Sequence, residues 1–145
     1  MSEKLPPIVE AITIDRPLAS VWRALTARAP EWLGCMRFEA RIGHVFYMQQ
    51  DQAKAAHDDI SGATHCEILA LDEPKLFKFS WYMPGTPTTE VSFRLDVIDA
   101  GHTRVSFLHE GWDKFPADQI KPIRDMLDGG WRSWVLPGLK RVAET

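Results

Sequence analysis

The side chains of this 145-residue chain best suited to chemistry near neutral pH are five histidines, His44, His57, His65, His102 and His109, and two cysteines, Cys35 and Cys66. Imidazole exchanges protons near neutrality and ligates metals, and a thiolate is a nucleophile. No histidine stands in an HxH, HExxH or Cys/His spacing, so no metal site is expected. The cysteines are too few and too far apart for a zinc ribbon or a CxxC redox pair, and read as free, partly buried thiols. His57 with Asp58 and Asp59 reads as a solvated polar loop. His65 and Cys66 are neighbours on a predicted strand, so they point to opposite faces and cannot act together as a nucleophile pair. A GxSxG elbow and a phosphate-binding loop are both missing, which leaves acyl transfer and nucleotide chemistry without support, and no cofactor is expected.

His109 is the one candidate for catalysis. It shares strand parity with Val105 and Phe107, and on an inward face desolvation would lower its pKa. Three roles stay open for it: a general base, a hydrogen-bonded ligand anchor, or a core or rim histidine satisfied by the protein. Glu39, Arg41 and Arg94 read as a charged outer sheet face.

The elements that must position these groups follow from periodicity. "IVEAITI" (8 to 14) alternates as a strand. In "DRPLASVWRALTA", Asp15 can cap a helix, Pro17 suits its first turn, and Leu18, Val21, Trp22 and Leu25 fall at helical spacing. A second short helical piece, "PEWLGCM", closes at Gly34. "RFEARIGHVFYMQQ" predicts a hairpin of two strands turning at Gly43. Residues 51 to 62 read as a surface loop with a short helical turn around Ala53 to Ala56. Four antiparallel strands with one wet face are then predicted. Their inward sets are Cys66, Ile68 and Ala70; Phe77, Phe79, Trp81 and Met83; Val91, Phe93, Leu95 and Val97; and Val105, Phe107 and His109.

The dry face needs a cover, and the segment from Pro116 to Ala143 supplies one. Ile120, Ile123, Leu127, Trp131, Trp134, Val135, Leu139 and Val142 recur three or four apart, the stripe of a long helix. Pro122 should start or bend that helix and Pro137 should kink it. Within it, "DGGWRSWV" (128 to 135) sets Gly129 and Gly130 beside two tryptophans, which either lets the backbone approach the sheet or opens room beside a ring. The fold class is α+β: a curved antiparallel sheet around a long C-terminal α-helix, with two short helices after the first strand.

Composition agrees with one domain spanning 1 to 145. Hydrophobic residues make up 45% and charged residues 26%, ordinary for a soluble globular chain of this length. A net charge of −3 without a basic run argues against nucleic acid as a partner. No apolar stretch approaches the roughly 20 residues of a membrane span, and "MSEKLPP" lacks the pattern of a signal peptide, so a cytoplasmic location is expected.

Taken in order, "ITIDRPLASVWRALT", "EWL", "LFKFSW", "TRVSFLHEGW" and "GGWRSWVLPGLKRVAE" resemble proteins related to the C-terminal domain of the activator of the 90-kDa heat-shock protein ATPase. These belong to the START-like (SRPBCC) superfamily with the helix-grip fold, and include bacterial stand-alone domains. The resemblance covers nearly the whole chain, although the segment 51 to 61 matches no family feature. It implies a cavity between helix and sheet for a lipid, polyketide or aromatic small molecule. Carried onto this sequence, the wall would be Phe46, Met48, Phe77, Phe79, Trp81, Phe93, Phe107 and His109, with Trp32 at the mouth and Leu127, Trp131 and Trp134 from the helix. Non-catalytic binding of a hydrophobic or amphipathic small molecule is the leading expectation. A chaperone-interacting module is the alternative, and a cyclase or hydrolase using His109 is a third reading.

Overall fold

The structure, a computed structural model, describes residues 5–145. The leader reading of "MSEKLPP" falls partly on residues 1–4, which lie outside the described residues. Seven strands form one antiparallel sheet: β1 (Ile8–Ile14), β2 (Cys35–Met36), β3 (Val45–Met48), β4 (Thr64–Asp72), β5 (Leu76–Trp81), β6 (Thr89–Asp99) and β7 (His102–Glu110), in the order β1-β7-β6-β5-β4-β3-β2. Helices α1 (Leu18–Leu25) and α2 (Ala29–Trp32) follow β1, and α3 (Gln52–Ala56) lies in the loop before β4. A 3₁₀ turn (Trp112–Lys114) leads into a 27-residue helical run: α4 (Ala117–Gly130), a π-helical turn (Trp131–Val135) and α5 (Leu136–Ala143). This curled half-barrel gripping a C-terminal helix is the predicted α+β, helix-grip architecture.

Strand alternation produces the buried layer directly. Cys66, Ile68, Phe77, Phe79, Val91, Phe93, Leu95, Val105, Phe107 and His109 are buried, and the intervening side chains face out. The pattern fails at strand ends for a local reason. Register shifts between Ile68 and Ala70 and between Val97 and Asp99 insert an extra residue, and such bulges re-aim the side chains beyond them. Ala70, beyond the first shift, is therefore only half-buried, while Val97, just before the second and near the end of β6, is exposed. Met83, beyond the end of β5, is exposed as well.

Three local expectations are corrected. Asp15 does not cap α1; Pro17 occupies the cap position, with no side-chain hydrogen bond. The hairpin at Gly43 has only one of its two predicted strands. Residues 37–44 form a loop, because Arg37 adopts a positive φ of 58° that ends β2 after two residues, while Phe38 turns inward onto Phe46 and Phe77. The third correction is in the C-terminal stripe. The Leu136 N–H reaches the Trp131 carbonyl, an i→i+5 bond that adds one residue to the turn. Pro137, which lacks an N–H, follows at once. The extra residue rotates the stripe: Leu136 takes the buried position, Val135 is half-buried, and Trp134 is 79% exposed. In α4, Ile120 is buried but Ile123 and Met126 face solvent.

Among the described residues, side-chain ties hold this helical run to the sheet at the β1 edge. Arg124 donates from Nε to the Pro6 carbonyl at 2.8 Å and from Nη2 to the Pro7 carbonyl at 3.0 Å. Arg132 reaches both Glu10 of β1 and Asp128 at 3.7 Å. These ties fix α4 to the β1 edge, and the side toward β3 and β4 is left open.

Candidate ligand-binding site

His109 is the hub of the inward face. Three indoles surround its fully buried ring, Trp81 from β5, Trp112 from the 3₁₀ turn and Trp131 from the π turn, with ring centroids at 5.2, 4.6 and 6.0 Å. An indole N–H can only donate, so Trp131 Nε1, 3.3 Å from His109 Nδ1, makes that nitrogen the acceptor. The other nitrogen, Nε2, then carries the proton and donates to Thr89 Oγ1 at 2.8 Å. The Thr89 hydroxyl passes the chain on to the Trp81 carbonyl at 2.8 Å. Burial, and to a smaller extent the charge of Arg124, pushes the His109 pKa down to about 3. The ring is neutral, and both of its nitrogens are held by the protein.

The remaining candidates for chemistry lie elsewhere. His65 sits on the outer face between Tyr47 and Tyr82, 4.9 and 5.3 Å away. His44 faces Glu39, and His102 pairs with Asp99 at 2.6 Å. His57 is exposed at the end of α3. Burial pushes the Cys35 thiol up to about 12 and raises that of Cys66 as well, so neither forms a thiolate near neutral pH.

The twelve residues expected to wall a cavity divide into two groups. Phe46, Phe77, Phe79, Phe93 and Phe107 pack ring on ring at centroid distances of 5.2–6.3 Å, sealed from solvent. Trp131 closes this stack against Phe107 at 4.6 Å. Trp32 lies edge-on to Phe93 and donates to the Ala24 carbonyl at 2.7 Å, so it is buried beneath the surface rather than at a mouth. His109 completes the packed group.

Met48, Trp81, Leu127, Trp131 and Trp134 instead border a groove of about 730 Å³ on the untethered side of the helix. Leu33, Thr64 and Trp131, all buried, form its floor, and the exposed Met126 and Trp134 stand at its rim. The volume falls within the range of small-molecule sites. Gly130 also lines it, and a Cβ built there or at Gly129 meets nothing within 4 Å. Of the two roles open to this glycine pair, Gly130 fulfils the second, leaving room beside the rings.

Sequence reasoning missed the glutamine rim of Gln49, Gln50 and Gln52. Gln49 Nε2 donates to the carbonyls of Asp59 and Ser61 at 2.9 and 3.0 Å, folding the 51–61 segment down beside the groove. The only signal for this was that the segment is polar and patternless. Among the described residues, none that lines the groove is ionisable.

Residues 15–144 match the family described as Activator of Hsp90 ATPase homolog 1-like protein. The chain belongs to this family. Among solved structures it is similar to MLL2253 from Mesorhizobium loti, at 24% identity with a TM-score of 0.77 over 96% of this chain and 97% of that one. It is also similar to PFC0360w, an HSP90 activator from Plasmodium falciparum, at 12% identity with a TM-score of 0.72, covering 95% and 96% of the two chains. DynU16, from the dynemicin biosynthetic locus, gives 18% identity and a TM-score of 0.71 over 96% of this chain and 47% of its own. At these identities the likeness is one of fold. No curated protein sequence matches the chain. No helix among the described residues is long and apolar enough to cross a membrane.

Proposed function

We propose that this family member binds a hydrophobic or amphipathic small molecule in the groove between its C-terminal helix and the β3–β5 end of the sheet, without covalent chemistry. One observation carries the reading: an open groove walled by three tryptophans and two methionines, with no ionisable side chain among the described residues of its lining. Apolar walls with a few polar groups suit a small ligand. General acid–base or nucleophilic catalysis needs a titratable group within reach of the reacting atom, and the groove offers none. His109, the catalytic candidate, has both nitrogens engaged. It serves the site from behind, by fixing Trp131.

A single domain in the cytoplasm fits this reading. The family and the Plasmodium HSP90 activator bring a chaperone partner as the second reading. It rests on a fold likeness at 12% identity, so the groove chemistry carries more weight. Native mass spectrometry of the purified protein separates them. The ligand reading expects a released organic molecule of modest mass. An apo protein that stimulates the chaperone's ATPase would replace it with the second reading.

A further inference from the structure

Among the described residues, one buried polar side-chain atom of the groove's lining residues has no partner. Trp81 borders the groove, and its Nε1 is buried yet finds no acceptor among the described residues. Three other buried tryptophans, Trp32, Trp112 and Trp131, donate to Ala24 O, His109 O and His109 Nδ1, and Trp81 Nε1 is the one buried indole nitrogen that is sealed from solvent without a partner among the described residues. A buried donor left unpaired is costly, so buried polar groups are nearly always satisfied, and an exception asks for an explanation, of which a bound acceptor is one.

The neighbouring polar groups do not supply an acceptor. The Thr64 backbone is committed to strand pairing with Met48. Gln49 Oε1 accepts from the Asp51 N–H at 3.1 Å while its amide holds the loop. Gln50 and Gln52 stand out at the exposed rim. Among the described residues the lining has no cation to meet a carboxylate or phosphate and no anion to meet an amine, so a charged ligand would lose its hydration without compensation.

We propose that the groove takes an uncharged molecule with an apolar body and one acceptor oxygen of the ketone, ester or ether class, and that the Trp81 indole N–H donates to that oxygen. The inference deepens the ligand-binding reading and rests on it. The apolar body lies along Leu127, Trp131 and Trp134, and the oxygen is placed toward the sheet.

Fluorenone and fluorene share a ring skeleton and differ by one carbonyl oxygen, which makes them a matched pair of probes. The full chain is titrated with each while the indole N–H signals are followed by NMR, and the titrations are repeated on Trp81→Phe. The expected result is that fluorenone binds roughly three- to tenfold more tightly than fluorene, the scale of one hydrogen bond. Fluorenone alone moves the Trp81 N–H signal downfield, the Trp131 N–H signal stays in place, and Trp81→Phe removes the preference without removing binding. Equal binding of the two probes with an unmoved Trp81 signal would overturn the donor assignment and leave the groove reading standing. Failure of both probes to bind would overturn both.

Discussion

Trp131 Nε1 and His109 Nδ1 lie 3.3 Å apart and join the C-terminal helix to the last strand through a neutral imidazole. The bond selects one tautomer, and Thr89 takes the remaining ring proton. A residue whose position beside the Gly-Trp pair invites a catalytic reading is thereby a structural pin. Because both nitrogens are engaged, charging the ring requires breaking the bond to Trp131.

A pH dependence follows. The His109 pKa falls from 6.5 in the unfolded chain to about 3 in the folded one, so between these values the unfolded state binds the extra proton. The stabilisation is fully present above pH 6.5 and is lost as pH falls toward about 3. Urea titrations across this window should show wild-type stability declining more steeply than that of His109→Gln. The variant itself should cost about 1–3 kcal/mol at neutral pH through its imperfect hydrogen bonds. Parallel pH curves would contradict the assignment.

A carboxyl pair at the β1 edge behaves in the opposite sense. A hydrogen bond with Asp128 raises the Glu10 pKa above 4.5, followed by desolvation and by the Asp128 charge, with Arg132 acting against them. The folded state therefore resists ionisation of Glu10, and that favourable share is lost as pH rises through the raised pKa. Glu10→Gln should raise the melting temperature at neutral pH, and the gain should vanish below pH 4.5. Thermal scans at both pH values check this.

The glycines separate into two kinds. Gly129→Ala should stabilise by about 0.5–1 kcal/mol, the helical advantage of alanine, since its Cβ meets nothing within 4 Å. Gly111→Ala should destabilise by more than about 1 kcal/mol, because φ is 108° and the new Cβ falls 3.1 Å from Thr89 Cα. Denaturant midpoints of the two variants should move in opposite directions.

Trp134 tests the rim. Its 79% exposure means that Trp134→Ala should change stability by no more than about 0.5 kcal/mol while weakening retention of an apolar probe. Calorimetric unfolding beside a binding titration separates the two effects. Equal loss of stability and binding would place Trp134 in the core.

Much of the fold was legible in the sequence because period-2 and period-3.6 patterns are set by burial. The 8–14 strand, the alternation of Phe77 with Phe79 and of Val105 with Phe107, and the long C-terminal run all appear as expected. What was not legible depends on single backbone events. The positive φ of Arg37 ends a strand that its sequence would continue. The π turn ahead of Pro137 shifts the stripe by one residue, so Trp134 faces solvent where helical spacing puts it inside. The site suffers from the same limit. Parity places Phe46, Phe77, Phe79, Phe93 and Phe107 inward, but parity cannot say whether inward means packed or hollow. Ring sizes and the one-sided tether of α4 decide that, and both are tertiary facts.

The central claim is that a neutral apolar molecule occupies the groove beside Gly130. The most direct test is fluorescence titration of the uncharged dye Nile red into the wild-type protein and Gly130→Leu, with circular dichroism confirming that both are folded. A blue-shifted, saturable emission in the wild type, unchanged from pH 5 to 9 because the lining has no titratable group and strongly reduced in Gly130→Leu, is the predicted result. Emission that does not shift in the wild type, or that persists equally in Gly130→Leu, would contradict the account.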